Sequence, residues 1–201
     1  MKINKIYCIN LDRRPDRWAL IKSQFDKHGL NVERFAAVDG NDFAKQTKSS
    51  AANNGCTLSH YFLIERAKLM GFDAVMILED DVILAENFTT ALEDTLHRLP
   101  ADWDMLLFGG SHKIPPDRIN SHILKANRTL TTHGYIMRSS MFVDALNCMS
   151  ELDSEVDGYT SMLQTIRNVY IADPPLAWQR EDFSDIQGRR MNYDHLKTND
   201  Q

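Results

Sequence analysis

An uninterrupted apolar run followed at once by three acids constrains this chain more than any other feature. The predicted strand covers DAVMIL (73–78), the acids are Glu79, Asp80 and Asp81, and a second apolar stretch follows at 82–84. Apolar residues without polar alternation are typical of a strand buried on both faces, which occurs where helices cover both sides of a parallel sheet. The run therefore favours an α/β fold.

Predicted strands and helices alternate along the rest of the chain. The first helix shows this pattern clearly, since Trp18, Ile21 and Phe25 share one helical face. The other strands are predicted at 6–10, 32–38, 103–110, 132–137 and 169–173, and the helices at 15–29, 56–71, 87–100, 140–149 and 156–166. This alternation predicts a three-layer α/β sandwich with a mostly parallel central sheet.

Composition and charge argue against several classes of function. The 201 residues carry a net charge of −5 without a dense basic run, which argues against a nucleic-acid binder. The chain shows neither the apolar core of a signal peptide nor an apolar run of transmembrane length, so we expect a cytoplasmic protein. Cys8, Cys56 and Cys148 are far apart and lack a C-x-x-C pair, which predicts buried reduced thiols rather than a zinc site. We expect one domain over 1–190 and a polar C-terminal tail over 191–201.

Polar, charged and glycine residues follow four of the early predicted strands. These endings are Asn10 to Arg14, Asp39-Gly40, the three acids and Gly109-Gly110. Open α/β sheets bind their ligands at the carboxyl ends of their strands. We therefore expect these residues to meet at one binding site.

The three acids admit more than one interpretation. Adjacent acids at a strand end most often cap a helix or lie on a solvated edge. Here an apolar stretch follows directly and no helix begins, which weakens the capping interpretation. If the extended backbone continues, Glu79 and Asp81 share one face and Asp80 points to the other. Such an acid-x-acid pair can hold one hard cation, which an acidic protein needs in order to bind a phosphate-bearing ligand.

Seven segments carry a resemblance to a known family. They are IYCINLDRRPDRW, RFAAVDG, GCTLSHYFLIERA, AVMILEDDVIL, THGYIMRSSM, VDGYTSM and PPLAWQREDFSDIQG. In this order they resemble family 25 glycosyltransferases over about residues 4 to 188. That family includes the lipooligosaccharide galactosyltransferases of bacteria and the procollagen galactosyltransferases. The resemblance implies a GT-A fold, which is a Rossmann-like sandwich, and a nucleotide-diphospho-sugar transferase that uses Mn²⁺ or Mg²⁺.

The resemblance also assigns roles on the donor side. Glu79 and Asp81 take the metal-binding positions, with Asp81 as the direct ligand, and Asp80 belongs to the same donor-binding motif although its side chain can serve structure instead. Two alternatives stay open, because Arg17 also suits the exposed face of the first helix and Gly134 also suits a close packing point in a strand. The other donor-binding residues implied are Asn10, Leu11 and Arg13 at the nucleotide edge, Arg17 at a phosphate, Asp39 and Gly40 beside the base or ribose, and Gly134 near the donor sugar.

Asp157 is the candidate general base of an inverting transfer, which needs a carboxylate near the acceptor hydroxyl. The family carries an aspartate here, usually before a large residue, whereas Gly158 follows in this chain. Alternatively, Asp157 is a first-turn aspartate favoured by the helix dipole. Asp185, in the closing Ser-Asp-Ile motif, is the second catalytic candidate and is expected to contact acceptor or donor. His195 is a candidate third metal ligand, and His60 is expected to be a packed or hydrogen-bonded histidine rather than a ligand.

These inferences predict a metal-dependent, inverting transferase that moves a sugar from a UDP-sugar to a glycan acceptor. Galactose is the expected sugar, lipooligosaccharide or a polysaccharide is the expected acceptor, and contact with membranes is at most transient because no basic amphipathic helix is evident. A non-catalytic module of the same fold that binds nucleotide-sugars or glycans is the alternative. A nucleotidyltransferase fits less well, because the glycine-rich loop that such enzymes place after their first strand is absent here.

Overall fold

The computed structural model describes residues 2–42, 49–184 and 188–199. The strands are β1 (Lys5–Asn10), β2 (Val32–Ala36), β3 (Ala74–Glu79), β4 (Val82–Leu84), β5 (Met105–Leu107), β6 (Ser111–Ile114), β7 (Asp117–Arg118), β8 (Ile123–Lys125), β9 (Arg128–Leu130), β10 (Gly134–Arg138), β11 (Val169–Ala172), β12 (Ala177–Gln179), β13 (Asp182–Ser184) and β14 (Arg189–Met191). The helices are α1 (Pro15–Lys27), α2 (Ala51–Leu69), α3 (Phe88–Arg98), α4 (Ser139–Met149) and α5 (Val156–Leu163), with short 3-10 turns at Gly40–Asp42 and Asp194–Lys197.

An eight-stranded sheet, in the order β2-β1-β3-β10-β5-β11-β8-β7, forms the centre of the protein. β1 runs parallel to β2 and β3, and β5 runs parallel to β11, whereas β10 lies antiparallel between β3 and β5. All strands of this sheet except β10 and β8 therefore share one direction, which confirms the mostly parallel central sheet. Ile9 lies opposite both Phe35 and Glu79. This register brings the carboxyl ends of β1, β2 and β3 to the same edge.

Apolar side chains cover both faces of the sheet. Along β3, Val75 and Ile77 join a core under α2, α4 and α5, while Met76 and Leu78 join a second core under α1 and α3. All four side chains are buried. The continuous apolar run thus lies in the middle layer of the predicted three-layer sandwich.

Helix α2 begins earlier than the sequence predicts. It starts at Ala51, after Ser50, whose hydroxyl oxygen accepts a hydrogen bond from the amide of Asn53. The polar and small residues of this stretch resemble a loop in sequence, but the capping hydroxyl satisfies a free amide of the first turn. Residues 43–48, which precede α2 in the chain, lie outside the described residues.

A close approach between two glycines positions the turn after β2 against α2. A Cβ on Gly55 would lie 2.6 Å from both the amide nitrogen of Gly40 and the carbonyl oxygen of Val38. A Cβ on Gly40 would overlap the carbonyl oxygen of Ala51. Only glycine at both positions lets the Asp39-Gly40 turn lie directly on α2.

Residues 188–199 pack on the sandwich. Leu196 is fully buried, and Asn199 donates a hydrogen bond to the carbonyl oxygen of Ala172. The expected domain boundary at 190 falls inside β14 (Arg189–Met191). Among the helices of the described residues, none combines the length and apolar character needed to cross a membrane.

Candidate active site

A cleft of about 370 Å³ opens at the carboxyl ends of β1 and β3. It brings together residues that are distant in sequence, as the rule for open α/β sheets predicts. The sequence-predicted residues that line it are Asn10, Leu11, Arg13, Arg17, Asp39, Gly40, Glu79, Asp80, Asp81 and Asp157. Asp185 lies outside the described residues.

Asp80 is held by two buried partners. Asn10 Nδ2 donates to Asp80 Oδ2 at 2.7 Å, and Arg17 Nη1 donates to Asp80 Oδ1 at 2.9 Å. β3 ends at Glu79, Asp80 and Asp81 form a turn, and β4 then pairs with β12. The extended backbone considered for the three acids therefore does not continue through them, because Asn10 and Arg17 hold Asp80 in a turn.

Arg17 ties helix α1 to this turn and to β13. Besides its bond to Asp80, its Nε donates to Asp182 Oδ2 at 3.2 Å and its Nη2 donates to the carbonyl oxygen of Phe183 at 2.7 Å. The side chain is 8% exposed, so the alternative that placed it on the exposed face of the first helix is wrong. These bonds give Arg17 a structural role, and its contact with a phosphate stays a prediction.

Glu79 faces a buried hydrogen-bonded chain. His60 Nε2 lies 3.3 Å from Glu79 Oε1, and Thr132 Oγ1 donates to the same oxygen at 3.1 Å. His60 Nδ1 in turn lies 2.9 Å from the hydroxyl oxygen of Tyr135. Burial alone would raise the pKa of Glu79, but the hydrogen bonds from His60 and Thr132 and the charges of His60 and His133 outweigh burial and lower it. The expectation of a hydrogen-bonded, packed His60 is confirmed.

Asp81 has a different environment from either neighbour. Its Oδ1 is buried and has no hydrogen-bond partner within the part of the chain that the structure describes. Arg17 Nη1 lies 3.7 Å from its Oδ2. Burial, followed by the charge of Glu79, raises the pKa of Asp81 to about 7. Carboxylate oxygens without donors are suitable ligands for a hard divalent cation.

The nucleotide edge predicted from the sequence lies along the rim of the same cleft. Arg13 forms an ion pair with Asp39, and Asp39 Oδ1 accepts from the amide of Asn41 at 3.1 Å. Arg34 Nε donates to Asn10 Oδ1 at 2.7 Å. These contacts hold the ends of β1 and β2 together. Roles for Arg13 and Asp39 in nucleotide binding stay predictions.

Asp157 enters the cleft from the first turn of α5. Its Oδ2 accepts a hydrogen bond from the amide of Thr131 at 3.3 Å. Thr131 has a φ of 80°, a left-handed conformation that is costly for a β-branched residue and that clusters at functional sites. Burial raises the pKa of Asp157, and the charges of Glu155 and Glu79 act in the same direction.

Gly134 has the packing role that the sequence left open. It is buried at the start of β10, where a Cβ would lie 2.8 Å from Phe108 Cδ2 and 3.2 Å from Leu78 Cδ2. The residues lining the cleft do not include it. A contact between Gly134 and a donor sugar therefore has no support from its position.

Sequence reasoning missed several residues that line the cleft. Met191 and Tyr193 line the cleft although they belong to the predicted polar tail. His195 is exposed and lies beside Tyr193, with 6.4 Å between the ring centroids. A metal-ligand role for His195 stays a prediction. Cys56 also lines the cleft, one helical turn before His60. The Cys-x-x-x-His spacing was the available signal for this pair, since residues four apart share a helix face.

Comparison with solved structures identifies the fold. The structure titled A197 from STIV superposes with a TM-score of 0.52 at 10% identity and covers 90% of this chain and 87% of that chain. A mannose-1-phosphate geranyltransferase from Thermus thermophilus gives a TM-score of 0.52 at 9% identity, with 86% of this chain and 74% of that chain covered. At such low identity the likeness shows the fold alone. The α/β sandwich is GT-A-like, as the resemblance implied.

Curated relatives carry the name of the family that the sequence motifs resemble. A glycosyltransferase 25 family member from Aedes aegypti is 32% identical over 130 residues, which is 54% of this chain and 21% of that protein. One from Anopheles gambiae is 28% identical over 162 residues, which is 68% of this chain and 27% of that protein. A Bos taurus relative, named probable inactive glycosyltransferase 25 family member 3, is 24% identical over 163 residues, which is 68% of this chain and 27% of that protein. The chain thus spans about a fifth to a quarter of these relatives' length.

A family model matches a longer stretch than the first of these relatives. Glycosyltransferase family 25 (LPS biosynthesis protein) matches residues 3–160. This range includes the ends of β1 and β3, the three acids and Asp157. Because the match spans well over half of the sequence, the chain belongs to glycosyltransferase family 25.

Proposed function

We propose that this chain is a metal-dependent glycosyltransferase that moves galactose from UDP-galactose to a glycan acceptor such as lipooligosaccharide or a polysaccharide. One observation carries the proposal. The buried Oδ1 of Asp81 has no hydrogen-bond partner among the described residues, and the charge of Glu79 acts on it at the carboxyl edge of the sheet. Family membership supports sugar transfer in general. The choice of UDP-galactose as donor and of lipooligosaccharide or a polysaccharide as acceptor rests on the resemblance to family 25.

Glu79 and Asp81 are the residues that would hold Mn²⁺ or Mg²⁺. Their carboxylate oxygens suit such hard cations, and within the described parts of the chain no donor competes for Oδ1 of Asp81. When bound, the ion supplies positive charge that neutralises the leaving diphosphate. The cleft needs this charge, because its other acids include Glu155 and Asp157. The two arginines of the cleft that the structure describes are already paired, Arg13 with Asp39 and Arg17 with Asp80.

Other residues keep the acidic turn in place. Asn10 and Arg17 clamp Asp80 from the end of β1 and from α1, so the turn that carries Asp81 is anchored on two sides. His60 and Thr132 both contact Glu79 Oε1 and fix the direction of its side chain. Residues held in this way require little reorganisation when the donor binds.

Asp157 is the residue proposed to act on the acceptor. Its carboxylate accepts the proton of the acceptor hydroxyl while the oxygen attacks the anomeric carbon and the bond from that carbon to the diphosphate breaks. Transfer inverts the anomeric configuration, because attack and departure take place on opposite faces of the sugar. The raised pKa of Asp157, caused first by burial, makes it a stronger base than an exposed aspartate.

A non-catalytic module that binds nucleotide-sugars or glycans is the second candidate. The names of relatives from Bos taurus and Mus musculus call those proteins inactive. In this chain, however, the acids of the three-acid turn and Asp157 line one cleft. The two candidates differ in turnover rather than in binding.

A donor screen tests the proposal. UDP-galactose, UDP-glucose and UDP-N-acetylhexosamines would each be incubated with the protein, with and without Mn²⁺, and donor hydrolysis would be measured. We expect hydrolysis only with Mn²⁺, fastest with UDP-galactose, and lost in Asp81→Asn. Asp94→Asn is the matched control, because Asp94 pairs with Arg98 on α3, outside the cleft. Calorimetric binding of UDP without hydrolysis or transfer would favour the non-catalytic module.

A further inference from the structure

We propose that Cys56, His60 and Glu79 form a binding site for a borderline divalent cation such as Zn²⁺. The site is distinct in ligand chemistry from the hard-cation site of the proposed function, with which it shares Glu79. One potential ligand atom from each of the three residues lies within 4.8 Å of the other two. Within the described residues, this is the one group of three or more histidine, cysteine or acidic side chains that meets this spacing.

The separation between the histidine and the acid already matches that of two ligands on a zinc ion. Two ligands about 2.0–2.1 Å from Zn²⁺ at a tetrahedral angle lie about 3.3–3.4 Å apart. His60 Nε2 and Glu79 Oε1 are 3.3 Å apart. A Zn–S bond of about 2.3 Å needs the thiol sulfur about 3.5 Å from these two atoms. In the structure the ligand atoms of the three residues lie within 4.8 Å of one another, so the sulfur of Cys56 is the ligand atom that would have to move closer.

The backbone explains why the three side chains meet. Cys56 and His60 are four residues apart on α2, so they lie one above the other on the same face. Glu79 is the last residue of β3, whose neighbour β10 carries Tyr135. α2 packs against this part of the sheet, and all three side chains line the cleft.

Two surrounding contacts match those of a metal site. A histidine that binds a metal through one ring nitrogen usually donates its other N–H to an oxygen, and a ligating carboxylate is itself hydrogen-bonded. His60 Nδ1 lies 2.9 Å from the buried Tyr135 hydroxyl, which leaves Nε2 directed at Glu79. Thr132 Oγ1 holds the Glu79 carboxylate. The structure therefore already contains a supporting hydrogen-bond contact behind the histidine and another behind the carboxylate.

The ligand set indicates which ion binds. Thiolate and imidazole favour Zn²⁺ and similar ions over Mn²⁺ or Mg²⁺, which prefer oxygen. Three protein ligands leave a fourth position open toward the cleft, as in zinc sites that bind water or a substrate. On binding, the Cys56 S–H bond breaks and its proton passes to solvent, so that the thiolate coordinates the ion. The proton of the neutral His60 ring moves from Nε2 to Nδ1, where it is donated to the Tyr135 hydroxyl oxygen and frees Nε2 to bind the ion. The sequence argued against zinc because it lacks a C-x-x-C pair, but this site takes its ligands from a helix and a strand.

Titration with Co²⁺, a spectroscopic substitute for Zn²⁺, tests the site on the whole chain without any sugar donor. We expect a near-ultraviolet thiolate-to-cobalt charge-transfer band that Zn²⁺ abolishes by displacement. Cys56→Ser, an almost isosteric change, should remove the band, whereas Cys148→Ser should retain it. Tyr135→Phe should keep the band but weaken affinity about 10–100-fold, since it removes a contact behind a ligand.

The outcomes distinguish the proposed zinc site from the proposed transferase activity. Asp81→Asn should lose donor hydrolysis and yet keep the cobalt–thiolate band, because Asp81 is not among the three ligands. Circular dichroism would check that each variant is folded before titration. A wild-type protein without the band, or a folded Cys56→Ser variant that retains it, overturns the proposed site whatever the donor screen shows.

Discussion

At the scale of single residues, the three acids have three different surroundings. Asp80 faces Asn10 and Arg17, Glu79 faces His60 and Thr132, and one oxygen of Asp81 has no hydrogen-bond partner in the described residues. The sequence set Asp80 apart from its neighbours by strand alternation, which does not hold because Asp80 and Asp81 form a turn. It could not show the partners, because Asn10 and Arg17 are 70 and 63 residues away from Asp80 in the chain.

Asp80→Ala should destabilise the protein more than Asp81→Ala. Removing Asp80 takes away one of the acidic partners that offset the charge of the buried Arg17. Breaking a buried ion pair costs about 3–5 kcal/mol of stability. Because Arg17 keeps Asp182 and Phe183 as partners, we expect about 2–3 kcal/mol. Asp81→Ala removes a buried carboxylate whose Oδ1 has no hydrogen-bond partner among the described residues and whose Oδ2 lies 3.7 Å from Arg17 Nη1. Because burial and the charge of Glu79 already disfavour its ionised form, the change should leave stability nearly unchanged or raise it. Urea unfolding without added metal measures both, and equal losses would contradict the assigned roles.

Asp157→Asn should lower the rate of transfer by roughly 10²–10⁴ while donor affinity stays unchanged. The amide keeps the size of the side chain but cannot accept the acceptor proton. In the wild type, transfer should fall as the pH drops through the raised pKa of Asp157, because only the ionised carboxylate acts as a base. Initial rates against pH, with excess UDP-sugar and Mn²⁺, measure both effects. Near wild-type transfer by the variant would leave Asp157 as a helix-start carboxylate.

At the scale of elements, long periodic segments were predictable and short ones were not. The apolar period identified α1 and the uninterrupted run identified β3, since each buries a continuous face. The start of α2 was missed because its first turn is polar and small. β6 to β9 were missed because strands of two to four residues are too short to show alternation.

Gly55→Ala should destabilise the protein and weaken UDP binding together. Its methyl group would meet the backbone of Gly40 and Val38 at 2.6 Å, and backbone cannot rotate away as a side chain can. Overpacking of this kind costs about 1–3 kcal/mol and would push the Asp39-Gly40 turn off α2. The control is Ser50→Ala, which removes the helix cap at a cost of about 1 kcal/mol without touching that turn. Thermal unfolding and calorimetry with UDP distinguish the two variants.

At the scale of the whole molecule, the C-terminal segment is the part that sequence reasoning described least well. Met191, Tyr193 and Leu196 are isolated apolar residues in polar surroundings, a pattern that resembles a solvated tail. In the structure Leu196 is buried and Tyr193 lines the cleft. These contacts depend on the assembled sandwich, so no local pattern could reveal them. Three of the four strand endings expected to meet do contribute residues to the cleft, because the rule for strand ends is itself a property of the whole sheet. The fourth ending, Gly109-Gly110, is not among the residues that line it.

Leu196→Ala should loosen residues 188–199 without unfolding the sandwich. A buried leucine truncated to alanine costs about 2–5 kcal/mol, which here falls on a short segment. We expect faster amide hydrogen exchange in 189–199 and a nearly unchanged urea midpoint for the rest of the protein. Lys197→Ala, at an exposed position in the same turn, is the control and should exchange like the wild type. A large drop in the urea midpoint of Leu196→Ala would show that the segment belongs to the cooperative core.

The ion pair between Arg17 and Asp182 has a consequence for biosynthesis. The two residues are 165 positions apart, and a ribosome adds about 5–20 residues per second. Roughly 8–33 s therefore pass between the synthesis of Arg17 and that of Asp182. Until then the guanidinium of Arg17, which the finished protein buries, lacks one of its acidic partners. The edge of the cleft at Glu79, Asp80 and Asp81 can therefore close only after translation has passed β13. Translation arrested before residue 182 should yield a chain whose sheet is largely synthesised and whose cleft is still open.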